Sequence, residues 1–206
     1  MRKLWGRANS VNVQKALWAL DELGLAYERI EAGGAHGVVG DAAYRALNPN
    51  GLVPTLQEDD FVLWESNAIL RYLAEAYAGP LALPPDLRER ALIGQWLDWQ
   101  TTSFTAAMRD AFLQLVRTPE AERDPALLAA SLAHSEAQAE TLDRYLRGRS
   151  YVVGERFSIA DIALGCAAHR WLALPAVRAE RPELQRWYAG LAVRPGAAVV
   201  MRQALS

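Results

Sequence analysis

Residues 79 to 85 read GPLALPP, and three prolines in six residues end any helix that reaches them. The hydrophobic period differs on the two sides, so the chain has to fold as two units. On the first side short alternating runs are interleaved with helical stripes. Residues 3–5 are a strand candidate. Val13, Ala16, Leu17 and Leu20 follow the i, i+3, i+4, i+7 spacing of a half-buried helix that Gly24 can end. Residues 26–30 alternate like a second strand. After the loop AGGAHGVVG and a polar segment, residues 53–56 and 61–63 flank the turn Glu58-Asp59-Asp60, which predicts a hairpin. Ser66 then opens a helix with Ile69, Tyr72, Leu73 and Ala76 on one face. This order describes a small mixed-sheet α/β domain, residues 1–78.

Beyond the linker, 79–85, residues 86–206 are expected to form an all-α bundle. A long amphipathic run extends from Asp86 to about Arg117, and another from about Asp124 to Leu146 closed by Gly148. Shorter ones start at Ser158 and near Pro182. Ser158-x-x-Asp161 after Phe157 is a capping-box variant and reads as structural.

Charge excludes several partners. The 22 Lys+Arg against 24 Asp+Glu leave a net charge of -2, which does not favour nucleic acid or an acidic membrane surface. One cysteine, Cys166, excludes an internal disulfide and a CxxC redox pair, and its place in IADIALGCAA predicts a buried thiol. His134 and His169 have no acidic or cysteine partners at ligand spacing, so no metal is expected. The N-terminal MRKLWGRANS lacks an apolar run of signal-peptide length and no segment is long enough to span a bilayer, which leads us to expect a cytoplasmic protein.

Three stretches carry chemistry. In LNPNGLVPTL, residues 47–56, Val53-Pro54 is either an ordinary loop before an edge strand or a cis peptide that offers the Val53 backbone to an extended ligand. In FVLWESNAILRYL, residues 61–73, Ser66 is either a simple helix cap or, with Glu65, half of a seat for a ligand carrying both an ammonium and a carboxylate. In WGRANSVNVQKALWAL, residues 5–20, Ser10 and Asn12 stand at the start of a helix.

WGRANSVNVQKALWALDELGLAYE, LNPNGLVPTL and LWESNAILRYLAEAY, in that order and followed by GERFSIADIAL, closely resemble the cytosolic glutathione transferases, the bacterial theta-like enzymes above all. The resemblance covers essentially the whole chain. It implies a thioredoxin-like N-terminal domain that holds glutathione, a helical C-terminal domain that supplies the pocket for a small electrophile, and a homodimer. By motif match, Val53 beside cis-Pro54 would pair with the cysteinyl backbone of glutathione, and Glu65 with Ser66 would hold its γ-glutamyl end. Ser10 would donate to the thiolate, with Asn12 or Arg7 as a supporting dipole or charge; helix capping and a solvated loop charge are the competing readings.

A thiol of pKa ~8.5 needs roughly 2–3 kcal/mol of preferential anion stabilisation to ionise near neutrality. A hydrogen bond to a charged group contributes about 1.5–3 kcal/mol and a helix N-terminus about 0.3–1 more. One hydroxyl and one helix end therefore suffice, without a general base.

The sequence departs from its relatives at Leu52. Many of them carry there a lysine that helps bind the glycyl carboxylate, whereas Leu52 can offer only its backbone; His36 and Arg45, in the intervening loop region, are the candidates to replace it, with a solvent-facing side chain as the competing reading. Arg109 falls where a residue lining the electrophile pocket or a surface ion pair is expected. Trp96 and Trp99 read as packing residues. The competing function is a non-catalytic ligand-binding or interaction protein of the same fold. A protein-thiol exchange enzyme is disfavoured, since no cysteine starts the first helix, and NSVNVQK departs from the serine- and cysteine-rich motif of the isomerase branch.

Overall fold

The computed structural model describes residues 1–77 and 79–205; Ala78, where the first domain is expected to end, and Ser206 lie outside the described residues. Contacts group the chain into two compact units, Met1–Leu83 with Arg194–Gln203, and Pro84–Val193 with residues 204 and 205. Assigning all of 86–206 to the helical domain therefore differs from the packing at one segment. Residues Arg194–Gln203 return to the first unit.

In the first unit, β1 (Arg2–Trp5), α1 (Val11–Glu22) and β2 (Tyr27–Ile30) form a parallel β-α-β unit, and β3 (Thr55–Glu58) and β4 (Phe61–Trp64) add an antiparallel hairpin, giving the sheet order β2-β1-β3-β4. The hairpin turns at Asp59-Asp60, with Glu58 paired to Phe61. Strand β3 starts after Pro54, so the Val53-Pro54 pair belongs to the loop before it. A short helix that the sequence did not suggest, α2 (Ala42–Leu47), occupies the polar segment, and α3 (Ser66–Ala76) follows β4.

Helix α1 is far more than half-buried. Every residue from 13 to 20 is buried, as is Val11, while Asn12 is exposed. The reason is the returning C-terminal segment. Its turn and α9 (Ala198–Met201) pack on α1, with α3 as the other neighbour. Gly196 lies so close that a β-carbon would stand 2.6 Å from Trp18, and Arg194 forms an ion pair with Glu22. The buried face of α3 also differs slightly from expectation: Ser66, Ile69, Leu70, Leu73 and Ala74 are covered, whereas Ala76 is exposed. Tyr72 is half-buried because its hydroxyl is tied to Glu58 at 2.5 Å.

The second unit contains α4 (Leu87–Trp99), α5 (Arg109–Phe112), α6 (Pro125–Tyr145), α7 (Ile159–Ala173) and α8 (Pro182–Ala192). The expected continuous run to Arg117 is broken by π-helical turns at Gln100–Thr105 and Leu113–Arg117. At the first of these, Thr101 and Thr102 donate back to the carbonyls of Leu97 and Asp98, and the buried Gln100 donates to Thr105 Oγ1 at 2.5 Å. Such back-bonding hydroxyls compete with the regular helix ladder. Trp96 packs on Trp99 and Tyr145, as a packing role requires.

The capping box at α7 is complete. Asp161 is fully buried and accepts from the Val152 and Ser158 amides, the Ser158 hydroxyl and Trp187 Nε1. Burial raises its pKa, and those hydrogen bonds oppose the rise. Cys166 is buried in the same helix.

Glu58 joins β3 to α3 and β1. It accepts from Tyr72 and Tyr77 (2.8 Å) and pairs with Arg2. Burial pushes its pKa up, but the two hydroxyls and the guanidinium outweigh this and hold it below its ordinary 4.5. A depressed carboxyl contributes stability that is present above its unfolded value and is lost as pH falls through the folded one. Glu58→Gln is therefore expected to lower the urea midpoint at neutral pH, with the gap from the parent closing as pH falls below about 4.5. A gap independent of pH would contradict this.

Candidate functional site

The loop 48–54, the start of α1 and the start of α3 converge on one cleft of about 120 Å³ in the first unit. Asn12 comes from α1 and Glu65 and Ser66 from the entry to α3, while Asn48, Asn50, Leu52, Val53 and Pro54 come from the loop. The volume is below the ~300–1,000 Å³ of sites that enclose a drug-sized ligand. A cleft of this size can enclose only part of such a ligand.

The loop is held from below. Tyr44 of α2 donates to the Leu52 carbonyl at 2.6 Å, and Asn48 Nδ2 donates to the same oxygen at 2.9 Å. Both also meet Thr55 Oγ1, at 2.9 Å and 3.1 Å, and Asn48 Oδ1 accepts from the Asn50 amide. Asn48 and Thr55 are buried. Burial raises the Tyr44 pKa against the pull of Thr55 and Asn48, so the hydroxyl stays protonated at neutral pH. The Val53-Pro54 peptide is cis. Leu52 projects outward, 65% exposed, with its carbonyl already doubly occupied.

Glu65 precedes α3 with φ 70 and ψ 111, and it is exposed. A non-glycine residue at positive φ of this kind costs about 1–3 kcal/mol, and such strain concentrates at functional sites. Ser66, the first residue of α3, is buried; its hydroxyl donates to Asn12 Oδ1 at 3.3 Å and accepts from Lys15 Nζ at 3.3 Å. Lys15 also donates to Asn67 Oδ1 at 3.0 Å. Asn12 is thus joined to the Ser66 side of the cleft.

Ser10 occupies the N-cap position of α1 with extended backbone, φ −81 and ψ 123, yet its side chain makes no capping hydrogen bond. The serine is buried and its carbonyl accepts the first helical bond, from Gln14. Arg7 lies against the Gly33-Gly34 turn: a β-carbon at Gly34, where φ is +60, would meet its Nη1 at 3.0 Å. Val53 approaches the same turn. Neither Ser10 nor Arg7 lines the cleft itself. Of the two candidate substitutes for the lysine missing at Leu52, Arg45 lies against Gly51, whereas His36 is 3.5 Å from Glu31. Arg109 is exposed at the start of α5, in the second unit.

The N-terminal domain model of glutathione S-transferase matches residues 4–81, and the C-terminal domain model matches residues 125–190. The chain is 42% identical over 197 residues to glutathione S-transferase GstB of Escherichia coli K12, covering 95% of each protein. The chain belongs to the glutathione S-transferase family. Among solved structures, it superposes with a TM-score of 0.95, at 50% identity, on the theta class glutathione S-transferase of Xanthomonas axonopodis pv. citri with glutathione bound, covering 100% of this chain and 99% of that one. The apo form of the same protein gives a TM-score of 0.86 at 45% identity, with 100% and 98% covered. The transferase fold is thus the expected one, a small mixed sheet with a helical second domain.

Sequence reasoning did not name Lys15, Asn48, Asn50 or Tyr44 for this transferase's site. Lys15 carried a signal nonetheless. It lies four residues after Val11 and three before Trp18, so a charge falls on an apolar stripe and must find partners inside. Among the described residues, no group of three or more His, Cys, Asp or Glu is arranged to hold a metal ion, and no helix is long and apolar enough to cross a membrane.

Asn48→Ala is expected to destabilise the chain by about 1–3 kcal/mol in urea unfolding, because it strips partners from Thr55, Leu52 and Asn50. The exposed Asn50→Ala should stay within about 0.5 kcal/mol of the parent. Equal effects would show that the loop is not held through Asn48.

Proposed function

We propose that the cleft seats the γ-glutamyl end of glutathione and that Ser10 holds its sulfur as a thiolate for attack on a small electrophile. The observation that carries this reading is the Ser10 hydroxyl at the head of α1, which makes no capping bond although it stands in the capping position. A hydroxyl so placed, with the helix N-terminus behind it, supplies the roughly 2–3 kcal/mol that thiolate formation needs.

Around it, Val53 beside cis-Pro54 is proposed to meet the cysteinyl backbone. Glu65 would take the ammonium and Ser66 the α-carboxylate. Asn12, bonded to Ser66, is assigned to the anchoring end, with a secondary influence on the sulfur. Arg7, close to Val53 across the Gly33-Gly34 turn, is proposed as a positive charge near the thiolate, and Leu52 offers its backbone amide. Arg45, against Gly51, is the better placed substitute for the missing lysine, and it would meet the glycyl carboxylate. No metal takes part in this chemistry. The thiolate displaces a leaving group from an electrophilic carbon, with dehalogenation and peroxide reduction as related reactions. Arg109 is the helical-unit residue proposed to meet the electrophile. The relatives carry transferase names, which supports turnover over a non-catalytic binding role. The cytoplasm, where glutathione is abundant, is the proposed compartment.

An ultraviolet difference titration of bound glutathione against pH tests the role of Ser10. The parent is expected to hold thiolate near neutral pH, and Ser10→Ala to move ionisation up by one pH unit or more, an effect on the order of 1.4 kcal/mol. Equal ionisation in both proteins would transfer the role to Asn12 or to a backbone group. The homodimer that the family resemblance implies is tested by light scattering, with twice the chain mass expected and a monomer at all concentrations overturning it.

A further inference from the structure

Lys15 is 1% exposed, so its ammonium has to be stabilised by protein groups. An ammonium donates and never accepts. Its bonds to Ser66 Oγ at 3.3 Å and Asn67 Oδ1 at 3.0 Å therefore have only one direction. That direction propagates. A serine oxygen that already accepts from a cation has its proton to offer, and here the proton goes to Asn12 Oδ1 at 3.3 Å. The chain of donors runs from Lys15 to Ser66 to Asn12 and opens into the cleft, which both Ser66 and Asn12 line.

We propose that Lys15 is a positioning and specificity-determining residue that commits the Ser66 hydroxyl to donation, so that this end of the cleft selects an α-carboxylate. The inference rests on the glutathione reading above and deepens it. An entering carboxylate is a stronger acceptor than the Asn12 amide oxygen and takes over the Ser66 proton. An ammonium at the same place cannot accept the Ser66 proton and would be repelled by Lys15. Glu65, on the cleft wall, carries the opposite sign. The two charges thus fix which way round an α-amino acid end lies.

A merely structural Lys15, tying α1 to α3, would affect every ligand alike, so the test measures discrimination. Calorimetry would compare glutathione with an analogue in which the γ-glutamyl α-carboxylate is a neutral carboxamide, for the parent, Lys15→Met, Lys15→Arg and Lys15→Gln. The parent is expected to prefer glutathione by about tenfold or more, as loss of one charge-assisted hydrogen bond implies. Lys15→Met, which keeps the volume of the stem, should weaken glutathione alone and shrink that preference to about threefold or less, whereas Lys15→Arg should retain it. In a Ser66→Ala background, Lys15→Met should change the preference no further. If Lys15→Met does not fold, Lys15→Gln, which keeps a donor without the charge, must still lose most of the preference. Equal weakening of both ligands, or an unchanged preference in both uncharged variants, overturns the inference while leaving the glutathione reading intact. A parent that binds neither ligand overturns both.

Discussion

The burial of α1 is the constraint on which the rest of the site depends. The helix is covered by α3 and by the C-terminal segment that returns to it, so its start cannot shift without disturbing the core of the first unit. Ser10 and Asn12 are therefore presented from a rigid element, and only Asn12 among the first turns reaches solvent. Lys15 extends the same logic inward. The cation buried in that helix donates to Ser66 Oγ and Asn67 Oδ1 of α3, and those bonds help hold both residues in place. Packing and polarity are thus set by one helix, which accounts for a binding cleft that needs little further support on that side.

The opposite wall is held by a different device. Its loop has no regular ladder of its own, and Tyr44 and Asn48 substitute for one by converging on the Leu52 carbonyl and on Thr55 Oγ1. At the entry to α3, Glu65 is kept in a backbone conformation that a non-glycine residue rarely adopts. A rigid helix start, a braced loop and a strained carboxylate position are what an enzyme needs to orient a ligand before chemistry, because the cost of ordering is met when the chain folds.

Much of this was legible in the sequence where signals were local. The hairpin followed from alternation around Asp59-Asp60, α6 from the amphipathic run between Asp124 and Leu146, and α7 from the Ser158-x-x-Asp161 box. The cleft residues Leu52, Val53, Pro54, Glu65 and Ser66 were found through motif resemblance, and the structure brings them together with Asn12. What escaped was either short or non-local. Helix α2 has six residues, too few for a period to show. The returning segment pairs Arg194 with Glu22, 172 positions away, and no local pattern announces such a partner. At the π-helical turn Gln100–Thr105, threonine hydroxyls compete for helix carbonyls, which apolar periodicity does not see. Lys15 was hidden for the converse reason: a reading that looks for apolar positions passes over a lysine among them.

A crystal structure of the chain with glutathione bound would decide which residues meet which end of the proposed ligand. The expected arrangement has the γ-glutamyl carboxylate on the Ser66 hydroxyl, the ammonium beside Glu65, and the sulfur within hydrogen-bonding distance of Ser10 Oγ. A sulfur held by Asn12 alone, or a γ-glutamyl end lying outside this cleft, would contradict it.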